Sequence, residues 1–159
     1  MTRARPSGFT LIEILVVVAI IGVIVGLAGA QLMRGPGDLV RGESEHLALL
    51  LRAAREEAIL QGRVFAFGAG RESYRFLRLE RNGRLKVAGG DELFRPQRMP
   101  PGIVIEALQI EGAGDTPQDG VVFLPSGELP AFRIVLKSGS ARWSVVGAPD
   151  GTIRAQAVS

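Results

Sequence analysis

Hydrophobic and polar positions follow three rhythms along the chain. In residues 14–33 no side chain is charged, and Ile, Val, Leu, Ala and Gly fill nearly all 20 positions. As a helix this run is about 30 Å long at ~1.5 Å per residue, the thickness of a bilayer's hydrocarbon core. A second rhythm follows. Leu47, Leu50, Leu51, Ala54 and Ala58 recur at helical spacing, while Arg52, Arg55, Glu56 and Glu57 fall largely off that stripe. Between the two runs, Gly35-Pro36-Gly37 is expected to kink or interrupt the helix. Ser44 is a candidate N-cap where the helix restarts, and Gly62 a candidate stop.

Past Gly62 the period falls to that of strands. Strands are predicted near residues 63–67, 73–80, 84–88, 103–111, 120–124, 131–137, 141–146 and 152–156. Asn82-Gly83 is a hairpin signal, and Pro100-Pro101-Gly102, Pro125-Ser126-Gly127 and Asp150-Gly151 read as turns. Phe132, Ile134 and Leu136 share one strand face, and Trp143 and Val145 another. The expected fold is α+β: a long N-terminal helix packed on an antiparallel β-sandwich-like domain. Phe65, Phe67, Phe76, Phe123, Phe132 and Trp143 are expected in its core.

Composition removes most enzyme classes. With no Cys there are no disulfides, thiolate zinc sites or cysteine nucleophiles. His46 is the only histidine, so no two-His metal site can form; it reads as a partly exposed helix residue. Glu56 and Glu57 are adjacent on a helix and point about 100° apart. Asp115 and Asp119 lie in a Gly/Pro-rich loop without the ligand density of a calcium site. Ser126 has no usable His, and there is no P-loop. No catalytic residue, metal or cofactor is expected.

The N-terminus carries the chemistry. Arg3 and Arg5 precede the apolar run, which keeps the short N-terminal end cytoplasmic. Ala28-Gly29-Ala30 resembles a secretory cleavage site. Neither a signal peptide nor a plain anchor accounts for Glu13, because a carboxylate at the edge of an apolar helix is costly and by default functional. Gly22, Gly26 and Gly29 fall near one helix face, where small residues allow close contact. Gly8-Phe9-Thr10-Leu11-Ile12-Glu13 resembles the type IV prepilin motif. The resemblance implies a prepilin peptidase that cuts after Gly8 and N-methylates Phe9. The new amine would lie about one helical turn from Glu13, and Glu13 can pair with the amine of a neighbouring subunit, which sets the axial stagger of assembly. Net charge is 19 − 16 = +3, and falls to 17 − 16 = +1 once residues 1–8 and their two Arg are gone.

Further stretches narrow the resemblance. They are residues 53–59 (Ala-Ala-Arg-Glu-Glu-Ala-Ile), Tyr74-Arg75-Phe76-Leu77, residues 122–128 (Val-Phe-Leu-Pro-Ser-Gly-Glu) and Trp143 before a Gly/Asp-rich turn. Together they resemble the H-type minor pseudopilins of type II secretion systems, relatives of the minor pilins FimT and FimU. That family implies a structural subunit at or near the tip of a periplasmic pseudopilus, with other pseudopilins, the peptidase and an inner-membrane platform as partners. It implies a leader at 1–8, a membrane and assembly helix at 9–33, an amphipathic helix at 34–62 and a β domain at 63–159. The location implied is the inner membrane, single-pass, with the C-terminal domain periplasmic. The alternative is a type IV minor pilin that works in pilus assembly or binds DNA. Residues 71–98 hold eight basic and four acidic side chains with Tyr74, Phe76 and Phe94 among them, a composition that suits nucleic-acid backbones and bases. A solvated strand face is the plainer reading, so nucleic acid is not an expected partner.

Overall fold

The described residues form a 22-residue apolar helix and an α+β body. The computed structural model describes residues 11–32, 35–88, 92–112 and 120–158, with side chains described only to residue 26 in the first helix. Two units result, residues 1–35 and 36–159. Helix α1 (Leu11–Leu32) belongs to the first. Many of its residues are β-branched Ile and Val, weak helix formers in water. In hydrocarbon the backbone must bond to itself, and the same sequence is then held helical.

The second unit starts with α2 (Pro36–Gln61). Pro36 opens this helix, where its missing N–H has no intrahelical partner to lose, and Asp38 lies in the first turn, where a carboxylate favours the dipole. The N-cap expected at Ser44 is therefore corrected. Ser44 is buried two turns inside the helix, and its Oγ donates to Val40 O at 2.7 Å. That back-bond satisfies the hydroxyl without ending the helix. Gly62 does terminate it, at φ +61°. Its N–H donates to Ile59 O and the Arg63 N–H to Ala58 O, the paired bonds of a Schellman cap.

Among the described residues nine strands follow in two antiparallel sheets: β1 (Phe65–Ala69), β2 (Ser73–Leu79), β3 (Leu85–Val87), β4 (Gln97–Arg98), β5 (Val104–Ile110), β6 (Val121–Phe123), β7 (Phe132–Ser138), β8 (Ala141–Gly147) and β9 (Ile153–Ala157). The first sheet runs β3-β2-β1-β6, with β4 also on β2; the second runs β5-β7-β8-β9. Helix α2 packs chiefly on β7, β8 and β9 and also reaches β1 and β6. Its buried face is Val40, Ser44, Leu47, Ala48, Leu50, Leu51, Ala54 and Ala58, which widens the predicted stripe by Ala48 and extends it toward the N-terminus by Ser44 and Val40. β4 and a 3-10 turn at Glu92–Phe94 were not legible in sequence. Two residues beside Pro96 are too short for a periodic signal.

One continuous core joins α2 to both sheets. Phe65, Phe67, Tyr74, Phe76 and Phe94 form a ring cluster with centroids 5.2–6.2 Å apart in the closest pairs. In the second sheet Phe132, Ile134, Leu136 and Val145 are buried. Trp143 departs from expectation: it is only half-buried, with the Arg41 guanidinium 5.7 Å from its ring centroid. A bulge between Ile105 and Ala107 shifts the register of β5. Ile105, Leu108 and Ile110 thereby pair with Leu136, Ile134 and Phe132, and Glu106 is left outside.

Candidate assembly site

Of the predicted N-terminal residues, Glu13 lies in the first turn of α1, where the helix dipole favours a carboxylate. Gly8 and Phe9 lie outside the described residues. Large apolar side chains are exposed all round the helix, from Leu11 at 88% to Val17 at 44%. A helix apolar on every side needs lipid or other helices around it. Among the described residues no helix is long and apolar enough to cross a membrane; the uncharged run itself continues in the sequence through Met33. A Cβ on Gly22 or Gly26 would meet nothing within 4 Å, so both offer bare backbone to a neighbouring helix.

In the second unit the end of α2 clasps two turns. Arg52 Nε donates to Ile153 O at 2.7 Å, and Arg55 Nε to Gly127 O at 3.1 Å. Gly127 and Gly151 have left-handed φ of +80° and +85°, and a Cβ on Gly151 would sit 2.4 Å from Arg55 Nη2. The guanidinium thus lies flat against turns that only glycine allows. Hydrogen bonds from Thr152, and then the nearness of Arg154 and Arg55, hold the Asp150 carboxyl below its ordinary value. A cleft of about 320 Å³ opens beside Arg52, Arg55, Glu56 and Arg154. Sequence reasoning placed Arg52 and Arg55 merely off the apolar stripe. The usable signal was an Arg pair one turn apart facing two Gly turns far along the chain.

The aromatic members of the basic segment point inward. Tyr74, Phe76 and Phe94 are all buried, and the Tyr74 hydroxyl donates to Gln97 Oε1 at 3.1 Å. Burial, then the charge of Glu43, pushes the Tyr74 pKa up. Glu43 is itself raised by burial. No stacking platform for bases is therefore left among these three rings. His46 is exposed on α2, and Ser126 bonds Glu128 across its own turn. Asp115 and Asp119 lie outside the described residues.

The bulge that expels Glu106 creates an outer ion cluster. Glu106 accepts from Arg142 Nε at 2.7 Å and Nη2 at 3.1 Å, and Lys137 Nζ lies 3.3 Å away. Hydrogen bonds from Arg142 dominate in holding its carboxyl at about 2, below the ordinary 4.5. A depressed carboxyl contributes stability above its unfolded pKa and loses it as pH falls through the folded one. Glu106→Gln should therefore be less stable than the parent at pH 7, and the difference should close between about pH 4.5 and 2. Denaturant melts followed by Trp143, the chain's only tryptophan, check this.

Similarity to known proteins falls in two blocks. Residues 43–151 match the family described as Type II transport protein GspH, and residues 3–29 match the prokaryotic N-terminal methylation motif. The type II secretion system protein H of Pseudomonas aeruginosa is 32% identical over 142 residues, covering 81% of each chain. That of Aeromonas hydrophila is 26% identical over 159 residues, covering 86% of this chain and 83% of the relative. The crystal structure of the minor pseudopilin EPSH from the type II secretion system of Vibrio cholerae superposes with a TM-score of 0.67 at 19% identity, covering 79% of this chain and 98% of that one. The solution structure of Escherichia coli GspH gives 0.56 at 13% identity, covering 76% and 91%.

Proposed function

The chain belongs to the type II transport protein GspH family, and from that premise we propose that it is a minor pseudopilin at or near the tip of a type II secretion pseudopilus. The observation that carries this reading is the pairing, in one chain, of an N-terminal methylation motif with the GspH pattern. The physical counterpart is a helix with apolar side chains exposed all round it in one unit and a core of its own in the other. The first has to assemble or insert; the second has its own core.

In this reading residues 1–8 are a leader, removed by a prepilin peptidase after Gly8, and Phe9 is N-methylated. Residues 9–33 hold the chain in the inner membrane and later in the filament. Residues 34–62 and 63–159 form the periplasmic part. The Glu13 carboxylate meets the N-terminal amine of a neighbouring subunit, and a charge so paired is tolerated in an apolar bundle. Other pseudopilins are the assembly partners, and the inner-membrane platform drives extension. The chain's role is positional, and no residue is assigned to catalysis. A DNA-binding minor pilin is less well supported, because the rings it would stack on are in the core.

The intact mass of membrane-extracted protein tests the reading. Loss of residues 1–8 plus the gain of one methyl group is expected. Loss of residues 1–30 would make the segment an ordinary secretion signal and end the pseudopilin account.

A further inference from the structure

The face of the first sheet turned away from the core is apolar where a solvated face would be polar. Phe65, Phe67, Tyr74, Phe76, Val121 and Phe123 point inward and are buried. Strand alternation sends their neighbours outward. The register aligns Val122, Ala66, Leu77 and Val87 in one row across β6, β1, β2 and β3, with Leu79 opposite Leu85 two residues on. Leu85 is 56% exposed, Val87 42% and Val122 38%; Leu77 and Leu79 are half-buried, and Ala66 is buried between its larger neighbours. The array spans three strand spacings of about 4.8 Å by one two-residue step of about 7 Å. β3 ends the sheet, with no strand beyond it among the described residues. Such a face marks an interaction site.

Cations border it at both ends. Arg75 stands on the same face, over Gly68, and Arg81 and Arg84 are exposed in the turn before β3. Among the described residues none of these three is in an ion pair, whereas Lys86 and Arg78 on the opposite face are within reach of Glu80. A second copy of the chain would set these cations against their own kind. A bilayer-surface site would present Trp or Tyr, and the sheet's aromatics all point inward.

Resting on the pseudopilin reading, we infer that this face is the docking surface for a different pseudopilin, one that presents an apolar patch bordered by carboxylates. The apolar rows are the dry centre of the contact, and Arg75, Arg81 and Arg84 are its charged rim. The rim accelerates and orients association, and the centre sets its lifetime.

The test takes the membrane-extracted chain, its N-terminus read by intact mass, and titrates it in detergent micelles with the other purified pseudopilins of the same secretion system, one at a time. One of them should bind, and Leu85→Glu/Val87→Glu should weaken it by at least ~10-fold. Arg81→Glu/Arg84→Glu changes only exposed turn positions, so its fold is not in question; it should weaken the same partner ~3-fold or more and flatten the salt dependence. A partner whose affinity is unchanged in both variants would overturn the docking surface and leave the pseudopilin reading standing. No binding by any pseudopilin, together with an unprocessed N-terminus, would overturn both. Self-association of the parent lost in the variants, or binding to anionic phospholipid vesicles lost in them, would assign the face to a second copy or to a bilayer and overturn the proposal.

Discussion

Glu13→Val should abolish incorporation into the pseudopilus while leaving the melting of residues 36–159 unchanged. The substitution removes a carboxylate from the first turn of an otherwise uncharged helix. By hydrophobicity alone it should improve membrane insertion, since a charge near hydrocarbon costs on the order of 2–3 kcal/mol. In the proposed assembly the carboxylate would recover that cost through a charge-assisted bond to a neighbour's terminal amine in a low-dielectric bundle. Without it, an apolar helix has no axial marker and can slide past its neighbours at little cost. Processing after Gly8 should continue, because the cleavage position is untouched. The measurement is the fraction of each protein in sheared pseudopilus preparations, beside Trp143 melts of the same two proteins. Equal incorporation of Glu13→Val and parent would mean that Glu13 sets no register.

Legibility of the fold tracked the strength of local periodicity. The α2 stripe and the strands at β2, β7 and β8 could be read because each is long enough to repeat its pattern. The hairpin at Asn82-Gly83 forms as read, with Gly83 at φ +76°. What local pattern cannot carry is the choice between two satisfactory local solutions. Ser44 can cap a helix or bond back to Val40, and only the burial of Val40 and Leu47 on one continuous face selects the second. Trp143 alternates as a core residue, yet Arg41 rather than another apolar side chain covers it. The bulge at Glu106 is invisible in sequence because it is a property of pairing with β7. The N-terminal methylation motif, matched over residues 3–29, was legible because such a motif is linear in sequence. The Arg55 clasp was not, because its partners Gly127 and Gly151 are 72 and 96 positions away.

Gly120→Ala should be the most damaging single-methyl change in the domain. A Cβ at Gly120 would sit 2.0 Å from Phe67 O and 2.9 Å from Phe67 C. Both atoms are backbone, so no rotamer change relieves the contact, and β1 and β6 must separate. Among the described residues β6 joins the sheet through β1 alone, pairing Phe123 with Phe65, Val122 with Ala66 and Val121 with Phe67. Val121 and Phe123 are wholly buried, so displacement of the strand uncovers core side chains as well as breaking ladder bonds. Lost hydrogen bonds at about 1 kcal/mol each and partial exposure of two large apolar side chains put the cost at about 3–5 kcal/mol, a large part of a small domain's stability. Gly68→Ala is the matched control. It lies in the adjacent β1 position, and its Cβ would meet only the flexible Arg75 side chain at 3.8 and 3.9 Å. It should cost well under 1 kcal/mol, because a strand gains from losing a glycine. Denaturant titrations of both variants, followed by Trp143 on a neighbouring sheet, should show Gly120→Ala unfolding far earlier with the same slope. Equal midpoints would mean that β6 can leave β1 without cost, and that the first sheet is not held closed at that edge.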